Sequence, residues 1–360
     1  MHGAVLAGAS LSLPACVRSG VPAATQPALC LPPVLASPDH VIRSVAGLRP
    51  YRSAGFVVRE QALGRTRVVH NYGHGGAGIT LSWGSSRLAV DLGLRDHSGP
   101  VAVLGAGALG LTTAKLLQEA GRDVAIYARD LPPDTTSNIA GGQISPATHY
   151  DDDAVTPEWR AQYAAAMDYS YRRFQISVGE DTGVRWLTTY NETRGAPLEE
   201  FDRQIMPAHR ILREGEHPFP VPLVREWRTM YVETGRWLEH TLRDVLIGGA
   251  TIERRMLESP EDVAALPETL VFNCTGLGAR ELFGDDGMIP VRGQLAILLP
   301  QPEIRHAYTS RAGYMFPRPD GIVLGGTFER RVEDATPQPD DIAQIVAAHA
   351  EYNSKLACTA

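Results

Sequence analysis

Short apolar runs alternate with longer amphipathic stretches along this chain, a pattern that predicts an α/β or an α+β protein. Residues 100–104 (PVAVL) are apolar and lead into the glycine-rich turn 105–110 (GAGALG), after which a helix-like stretch runs to Gly121. A second apolar run, 123–128, follows this stretch. The pattern therefore predicts the order strand, glycine turn, helix and strand.

That order is typical of a dinucleotide-binding site. Gly105 permits the tight turn, Gly107 lets the backbone approach a pyrophosphate, and Gly110 lets the helix pack closely on the strand. Ala108 and Leu109 stand at the predicted amino terminus of the helix. Free N–H groups and the helix dipole favour phosphate groups at that place.

The same periodicity assigns other parts of the chain. It predicts helices near 158–176 and 235–248, an amphipathic stretch at 341–352, and strands at 250–253 and 270–273. The middle of the chain is rich in predicted strands, and no internal repeat is visible. At 360 residues the chain is long for one compact core, so we expect two closely joined domains.

Charge and hydropathy exclude several kinds of partner. The formal charge is −7 and no basic stripe is present, which argues against nucleic acid. No apolar run approaches the ~20 residues of a membrane span. We therefore expect a cytoplasmic protein without a membrane partner, and the sequence leaves a homodimer open.

The two ends of the chain carry weak signals. Residues 1–28 hold few charges, and no basic segment precedes their apolar stretch, so we expect a disordered tail rather than a signal peptide. Residues 354–356 (SKL) spell a peroxisomal signal, but such signals are read at the extreme carboxyl terminus. No metal or disulfide spacing is apparent among the cysteines, which are Cys16, Cys30, Cys274 and Cys358.

From residue 100 onward the chain resembles the D-amino-acid oxidase family of flavin enzymes. The matching stretches are 128–132 (ARDLP), 135–137 (TTS), 140–142 (AGG), 273–276 (NCTG), 292–294 (RGQ), 313–317 (GYMFP) and 324–327 (LGGT). The family carries two further signatures at its carboxyl end. Both stand at the front of this chain, as 47–52 (GLRPYR) and 70–76 (HNYGHGG).

The rotated order of these signatures indicates a circular permutation, which is feasible because domain termini often lie close together at the surface. The resemblance implies a Rossmann-like, doubly wound FAD-binding domain interleaved with an antiparallel-sheet substrate domain. We expect the FAD-binding domain in 29–150, with the family's carboxyl-terminal part (29–99) placed before its amino-terminal part (100–150). The substrate domain is expected in 151–330, with 235–287 returning to the FAD-binding domain, and a helix and tail in 331–360.

The resemblance also implies which residues bind the substrate. Arg49 stands where the family has its substrate-binding arginine, and a planar guanidinium gives a carboxylate two parallel N–H bonds. Tyr314 matches the tyrosine whose hydroxyl donates to the same carboxylate. Gly76 matches a backbone carbonyl that accepts from the substrate amine. Arg52 is expected to support Arg49 structurally.

The family's cofactor is FAD, bound without a covalent link. Asp130 or its neighbour Arg129 is expected to face the adenosine, because adjacent strand positions point opposite ways. Backbone N–H groups of the 75–80 turn are expected to stabilise negative charge on the reduced ring. The full set of matching positions is Gly75, Gly76, Ala77, Gly78, Ile79, Thr80, Gly105, Gly107, Ala108, Leu109, Gly110, Arg129, Asp130, Thr135, Thr136, Ser137, Gly141, Gly142, Thr275 and Gly276.

No side chain is expected to act as a catalytic acid, base or nucleophile, because the flavin carries the hard step. His70 and His74 are not expected to hold a metal, because the glycines around them disfavour a regular helix. The resemblance implies oxidative deamination of a D-amino acid to the 2-oxo acid, ammonia and hydrogen peroxide, by direct hydride transfer to flavin N5 with oxygen as acceptor. Two alternatives stay open: an amino-acid dehydrogenase or biosynthetic amine oxidase for an unusual amino acid, and a flavin-binding protein without activity.

The chain departs from the family around the substrate side chain. The family has an aromatic lid residue four positions before the substrate tyrosine, whereas this chain has Ser310 there, with Tyr308 nearby. Gln143 and Ser145 stand in the predicted pocket roof, which favours a polar or modest substrate side chain. The cationic candidates to face that side chain are Arg305, His306 and Arg311.

Overall fold

The computed structural model of the protein describes residues 29–145, 147–198, 205–206 and 208–357. The tail predicted for residues 1–28 lies outside the described residues. The strands are β1 (Val41–Arg52), β2 (Val57–Leu63), β3 (Thr66–Tyr72), β4 (Val101–Leu104), β5 (Val124–Ala128), β6 (Val184–Glu192), β7 (Arg210–Arg213), β8 (Leu223–Val232), β9 (Thr251–Arg254), β10 (Leu270–Asn273), β11 (Met288–Leu298), β12 (His306–Ser310), β13 (Gly313–Arg318), β14 (Gly321–Gly325) and β15 (Glu329–Arg330).

The helices cover both sheets that these strands form. They are α1 (Gly78–Gly93), α2 (Ala108–Glu119), α3 (Thr136–Ile139), α4 (Pro157–Ile176), α5 (Thr234–Ile247), α6 (Pro260–Ala264), α7 (Gly278–Phe283) and α8 (Pro339–Ser354), with 3-10 turns at Pro38–His40 and Gly75–Ala77. Within the described part of the chain, no helix combines the length and apolarity needed to cross a membrane.

The glycine-rich turn belongs to a sheet that is parallel apart from one edge pair. Its strand order is β2-β3-β10-β4-β5-β9, and only β2 and β3 run antiparallel. Every residue of β4 and β10 is buried, as expected for parallel strands covered on both faces. The turn leaves β4 between strands from distant parts of the chain, a topological switch point where such sheets bind ligands. The predicted doubly wound α/β architecture is confirmed.

The second sheet has the order β1-β11-β14-β13-β12-β6-β8-β7, with β15 paired to β11. Its neighbours run antiparallel except β12 and β6, which are parallel. The expected antiparallel substrate sheet is therefore a mixed sheet. The parallel pair arises because a long connection separates β6 from β12, so these strands are not joined as a hairpin.

Two segments lie elsewhere than the sequence indicates. Strand β1 falls within the range 29–150 expected for the FAD-binding domain, but it pairs with β11 along its length in the second sheet. Helix α4 falls within the expected substrate domain, but it packs on α1 beside the parallel sheet. Motif order identifies neither pairing, because each depends on contacts between residues more than 80 positions apart in the chain.

The first and last described segments lie side by side. The Val34 N–H donates to Asn353 Oδ1 of α8 at 2.8 Å, and Leu29, Leu31 and Leu356 pack against one hydrophobic cluster. Cys30, in the same segment, is disulfide-bonded, whereas Cys274 is free and buried. The absence of a disulfide spacing was therefore misleading, because spacing along the chain does not report which segments meet in space.

Helices α1 and α4 cross so closely that residue 84 must be glycine. A Cβ there would lie 1.7 Å from the Ala166 carbonyl oxygen, and the Gly84 N–H donates to Ser170 Oγ at 2.8 Å. We expect Gly84→Ala to lower the free energy of unfolding by about 1–3 kcal/mol, because one helix must move away from the other. Urea denaturation measures this change.

Gly235→Ala in α5 is the matched control, because nothing lies within 4 Å of a Cβ at that position. It should leave the free energy of unfolding unchanged or raise it by up to ~1 kcal/mol. Equal denaturation midpoints for the two variants would contradict the close crossing of α1 and α4.

Candidate active site

The glycine-rich turn joins β4 to α2 at the carboxyl edge of the parallel sheet. Gly105 has a φ of 95°, and a Cβ at Gly110 would lie 1.9 Å from the Gly105 carbonyl oxygen. Both positions therefore require glycine. At Gly107 the nearest atom to an added Cβ would be Ser137 Oγ, at 3.0 Å. The backbone at the start of α2 is thus open to a phosphate.

The segment 135–142 connects this turn to the second sheet. Ser137 Oγ accepts from the Ala108 N–H at 3.0 Å, and Thr135 donates to Asn138 Oδ1 at 2.7 Å, one residue before Thr136 begins α3. Beyond α3 the chain turns back over the sheet. A Cβ at Gly141 would meet the Phe316 ring, and one at Gly142 would meet the Val232 carbonyl oxygen.

Two further predicted cofactor positions follow strands β5 and β10. Arg129 and Asp130 pair with each other at 2.7 Å, and their side chains are 69% and 40% exposed. Thr275 directs its N–H and hydroxyl to Asn273 Oδ1, at 3.2 and 2.7 Å, and Gly276 has a φ of 59°. The ends of β4, β5 and β10 thereby form one edge of the parallel sheet.

The turn at residues 75–80 lies beside α2 and against β1. A Cβ at Gly78 would meet the Leu109 side chain at 3.9 Å, and one at Gly75 would meet the Tyr51 ring at 3.2 Å. Ala77 and Ile79 are buried. The turn therefore lies between the glycine-rich turn and the strand that carries Arg49.

One predicted donor in this turn has an internal partner. The Gly76 N–H donates to the Thr148 carbonyl oxygen at 3.1 Å, and the Thr80 hydroxyl lies 3.3 and 3.2 Å from the carbonyl oxygens of Gln143 and Ser145. The expectation that successive N–H groups here face the cofactor is thus wrong for Gly76, because the 143–148 loop packs over the turn. The sequence carries no sign of that packing.

The two histidines of this region serve packing and hydrogen bonding. His74 Nε2 lies 2.8 Å from Ser85 Oγ and its ring stacks on Phe56, while burial lowers the pKa of His74 to about 3. His70 contacts Gln61 and Asn273 through its two ring nitrogens. Across the described residues, no group of three or more His, Cys, Asp and Glu side chains is arranged to hold a metal ion.

The two predicted substrate residues meet on one face of the second sheet. Arg49 is half-buried on β1, and its Nη1 donates to the Thr327 carbonyl oxygen at 3.1 Å. The Tyr314 hydroxyl lies within hydrogen-bonding reach of the Arg49 guanidinium. Burial raises the pKa of Tyr314 and the adjacent Arg49 opposes that rise. Among the described residues, no aspartate or glutamate forms an ion pair with Arg49.

Glycines provide the space for these two side chains. A Cβ at Gly293 would lie 2.3 Å from Arg49 Nη2, and a Cβ at Gly325 would lie 2.2 Å from the Tyr314 ring. The matched RGQ and LGGT motifs thus contribute glycine where the guanidinium and the phenol cross the sheet. Without those glycines, neither side chain keeps its position.

Comparison with known proteins agrees with this architecture. The family model described as FAD dependent oxidoreductase matches residues 25–92 and 100–357. The chain belongs to this family. It is 31% identical over 280 residues to a D-amino-acid oxidase of Streptomyces coelicolor, a match that covers 73% of this chain and 80% of the relative. It is 29% identical over 263 residues to a human D-aspartate oxidase, with 69% and 74% covered.

Solved structures share the fold. The glycine oxidase of Geobacillus kaustophilus matches with a TM-score of 0.53 and 17% identity, over 72% of this chain and 80% of that one. The L-proline dehydrogenase of P. horikoshii matches with a TM-score of 0.52 and 14% identity, over 72% and 78%. The protein is therefore an FAD-dependent oxidoreductase by family, with a fold that these flavoproteins share.

The residues present fit the FAD that this family uses. Gly107 leaves a cradle that a side chain would fill. The Ala108 N–H donates to Ser137, and the other N–H groups at the amino terminus of α2 suit the pyrophosphate. The exposed Arg129–Asp130 pair at the end of β5 stands where a Rossmann-like fold binds ribose. The 75–80 turn lies between these positions and Arg49. Together these groups would hold the cofactor with its reactive ring towards the Arg49 side of the second sheet.

The residues predicted to line the substrate pocket near β12 differ in their burial. Tyr308 is buried, with its hydroxyl 2.7 Å from His349 Nδ1, so it is not a lid. Ser310 and Gly313 flank a two-residue turn, so the connection between β12 and β13 is not a long lid loop. His306 is buried, whereas Arg305 and Arg311 are exposed.

Sequence reasoning missed Thr327 and Phe328, which both contact Arg49.

Proposed function

We propose that this protein is an FAD-dependent oxidase that deaminates a D-amino acid to the 2-oxo acid, ammonia and hydrogen peroxide. One observation carries the proposal: the half-buried Arg49 guanidinium has no carboxylate partner among the residues that the structure describes, and it lies beside the Tyr314 hydroxyl. A half-buried cation is stabilised by an anion that can accept two parallel N–H bonds. The carboxylate of an α-amino acid is such an anion.

Each residue of the site orients the substrate rather than reacting with it. Arg49 and Tyr314 hold the carboxylate, and the Gly76 carbonyl is assigned to the amine. Bound FAD supplies the hydride acceptor for the Cα–H bond, and oxygen is assigned as the electron acceptor. Orientation of this kind contributes up to ~7–11 kcal/mol to lowering a barrier.

The stereochemistry follows from three fixed substituents. When the carboxylate, the amine and the Cα–H each have an assigned place, one enantiomer alone directs its side chain into the pocket. The names of two relatives, a D-amino-acid oxidase and a D-aspartate oxidase, support the D-form. The Phe316 ring stacks on the Tyr314 ring at 4.8 Å and borders Gly141, so this wall favours a modest side chain.

Initial rates on paired enantiomers of alanine, proline, aspartate and phenylalanine test the proposal. We expect D-alanine, D-proline or D-aspartate to be oxidised fastest, with one peroxide formed per substrate consumed. Faster oxidation of the L-forms would overturn the stereochemical assignment, and substrate loss without peroxide would indicate a dehydrogenase. Fastest turnover of D-phenylalanine would overturn the assignment of a modest side chain.

Arg49 is expected to dominate substrate binding. Arg49→Lys should raise KM strongly, because a single ammonium cannot replace the bidentate fork, and Arg49→Leu should nearly abolish turnover. Removal of one partner from a desolvated charged pair costs ~2–5 kcal/mol, whereas Tyr314→Phe should cost ~0.5–1.5 kcal/mol. Steady-state kcat/KM for the preferred D-amino acid measures both effects.

Arg43→Lys is the control for the arginine substitutions, because Arg43 lies on the same strand but pairs with Asp320 at the surface. Its kcat/KM should match that of the unaltered protein. An Arg49→Lys variant with unaltered kcat/KM would contradict the role of Arg49.

We also propose that the family's carboxyl-terminal part precedes its amino-terminal part in this chain. The family match falls into two segments separated at 93–99, which comprises the last residue of α1 and most of the loop to β4. The first and last described segments are hydrogen-bonded through Val34 and Asn353. A break at that point and a join at 93–99 would convert one order into the other without loss of the described sheet pairings.

A relinked chain tests the permutation. Residues 94–360, followed by a short Gly/Ser linker and residues 1–93, should fold and bind FAD as the unaltered protein does, because the new ends fall in the surface loop between α1 and β4. This chain keeps every cysteine, so the disulfide of Cys30 can still form. Circular dichroism and flavin content report this outcome. As a control, the same relinking with new ends placed inside α1, between Ser86 and Arg87, should fail to fold, since that helix is largely buried. Failure of the first chain would contradict the permutation.

A further inference from the structure

A hydrogen-bonded network lies behind the strand that faces Arg49. In the RGQ motif of β11, Gly293 borders the guanidinium of Arg49, and Arg292 and Gln294 project from the opposite face of the strand because side chains alternate. Both long side chains converge on Glu329. Arg292 Nε and Nη2 donate to Glu329 Oε2 at 3.0 and 2.5 Å, and Gln294 Nε2 donates to Oε1 at 2.9 Å.

Glu329 in turn holds Thr327. The Thr327 hydroxyl donates to Glu329 Oε1 at 2.5 Å and accepts from the Gln294 backbone N–H at 3.1 Å. The carbonyl oxygen of the same threonine accepts the Arg49 Nη1–H at 3.1 Å. Thr327 therefore bonds the network through its side chain and Arg49 through its backbone carbonyl.

The network is anchored from outside as well. Gln294 is fully buried, its Nε2 donates to Asp341 Oδ2 of α8 at 2.5 Å, and its Oε1 accepts from the Gln338 N–H at 2.6 Å. Arg292 is also buried and holds the Glu329 pKa at about 2, so this carboxylate stays ionised throughout the assay range.

We propose that Glu329, through the Thr327 hydroxyl, is a positioning residue that fixes the Thr327 carbonyl and so aims the Arg49 guanidinium at a substrate carboxylate. This inference rests on the proposed function of Arg49. Glu329 and Thr327 do not touch the substrate in this assignment. A guanidinium held on one N–H by a fixed carbonyl keeps its remaining donors in the orientation that a bidentate carboxylate needs.

Thr327→Val tests the link without a change of volume, and Thr327→Ser is the rescuing variant because it keeps the hydroxyl. In the FAD-loaded protein, Thr327→Val should raise KM for the preferred D-amino acid about 5- to 10-fold, as expected for loss of one positioned hydrogen bond, with kcat within about twofold. Thr327→Ser should lie within about twofold of the unaltered KM.

A second readout needs no turnover. The dissociation constant of propionate, a carboxylate that carries no amine, is measured from the flavin absorbance change on titration. It should rise with Thr327→Val by the same factor as KM and recover with Thr327→Ser. Asp334→Asn is the control, because Asp334 lies 3.9 Å from Arg292 Nη1 at the exposed edge of the network and should leave both constants unchanged.

The outcomes distinguish a failure of the proposed function from a failure of the positioning role. If the unaltered protein neither oxidises an amino acid nor binds propionate, the proposed function fails. If the unaltered protein does either and Thr327→Val leaves KM and the propionate constant unchanged, the positioning role is overturned and the function stands. A Thr327→Val variant that loses kcat, or that Thr327→Ser does not rescue, also overturns it.

Discussion

The rest of the site depends on one constraint, which is a half-buried guanidinium that has no carboxylate partner in the described part of the chain. Removing a charge from water without a partner costs several kcal/mol, so the protein must stabilise Arg49 with uncharged groups. It does so with the Thr327 carbonyl and with the Phe328 ring, whose centroid lies 5.8 Å from Arg49 Cζ. In the proposed function, a substrate carboxylate would complete the set of partners of this guanidinium.

The backbone around that cation is shaped by the same requirement. Gly293 and Gly325 have no side chains, which leaves room for Arg49 and Tyr314 to cross the sheet face. Arg292 and Gln294 lie on the opposite face of β11. Because side chains alternate along a strand, the RGQ motif places Gly293 beside Arg49 and directs Arg292 and Gln294 to the opposite face. On the cofactor side, Gly105 is needed for its positive φ, and Gly110 is needed because it packs directly against the Gly105 carbonyl oxygen.

The sequence predicted what depends on local backbone chemistry. The strand, the glycine turn and the helix of 100–121 follow from spacing, and the helix expected near 235–248 spans Thr234–Ile247. It could not predict which segments pair across the fold. Strand β1 joins β11 in the second sheet, and the Gly76 N–H bonds the Thr148 carbonyl, because both contacts are set by tertiary packing that no local pattern encodes. Thr327 escaped notice for a related reason: its role lies in its carbonyl, which every residue has.

The interleaved sheets are also compatible with the proposed rotation of the chain order. Arg49 comes from β1, Tyr314 from β13 and the phosphate turn from β4, so the site is assembled from segments that were never consecutive in either order. The register of strand pairing fixes the positions of these elements, and that register does not depend on the order of the elements along the chain. What the rotation changes is the loop-closure entropy of two connections, which varies only slowly with length. The charge, the glycines and the alternation of side chains across β11 are unaffected by it, and these are the features that make Arg49 available to a carboxylate.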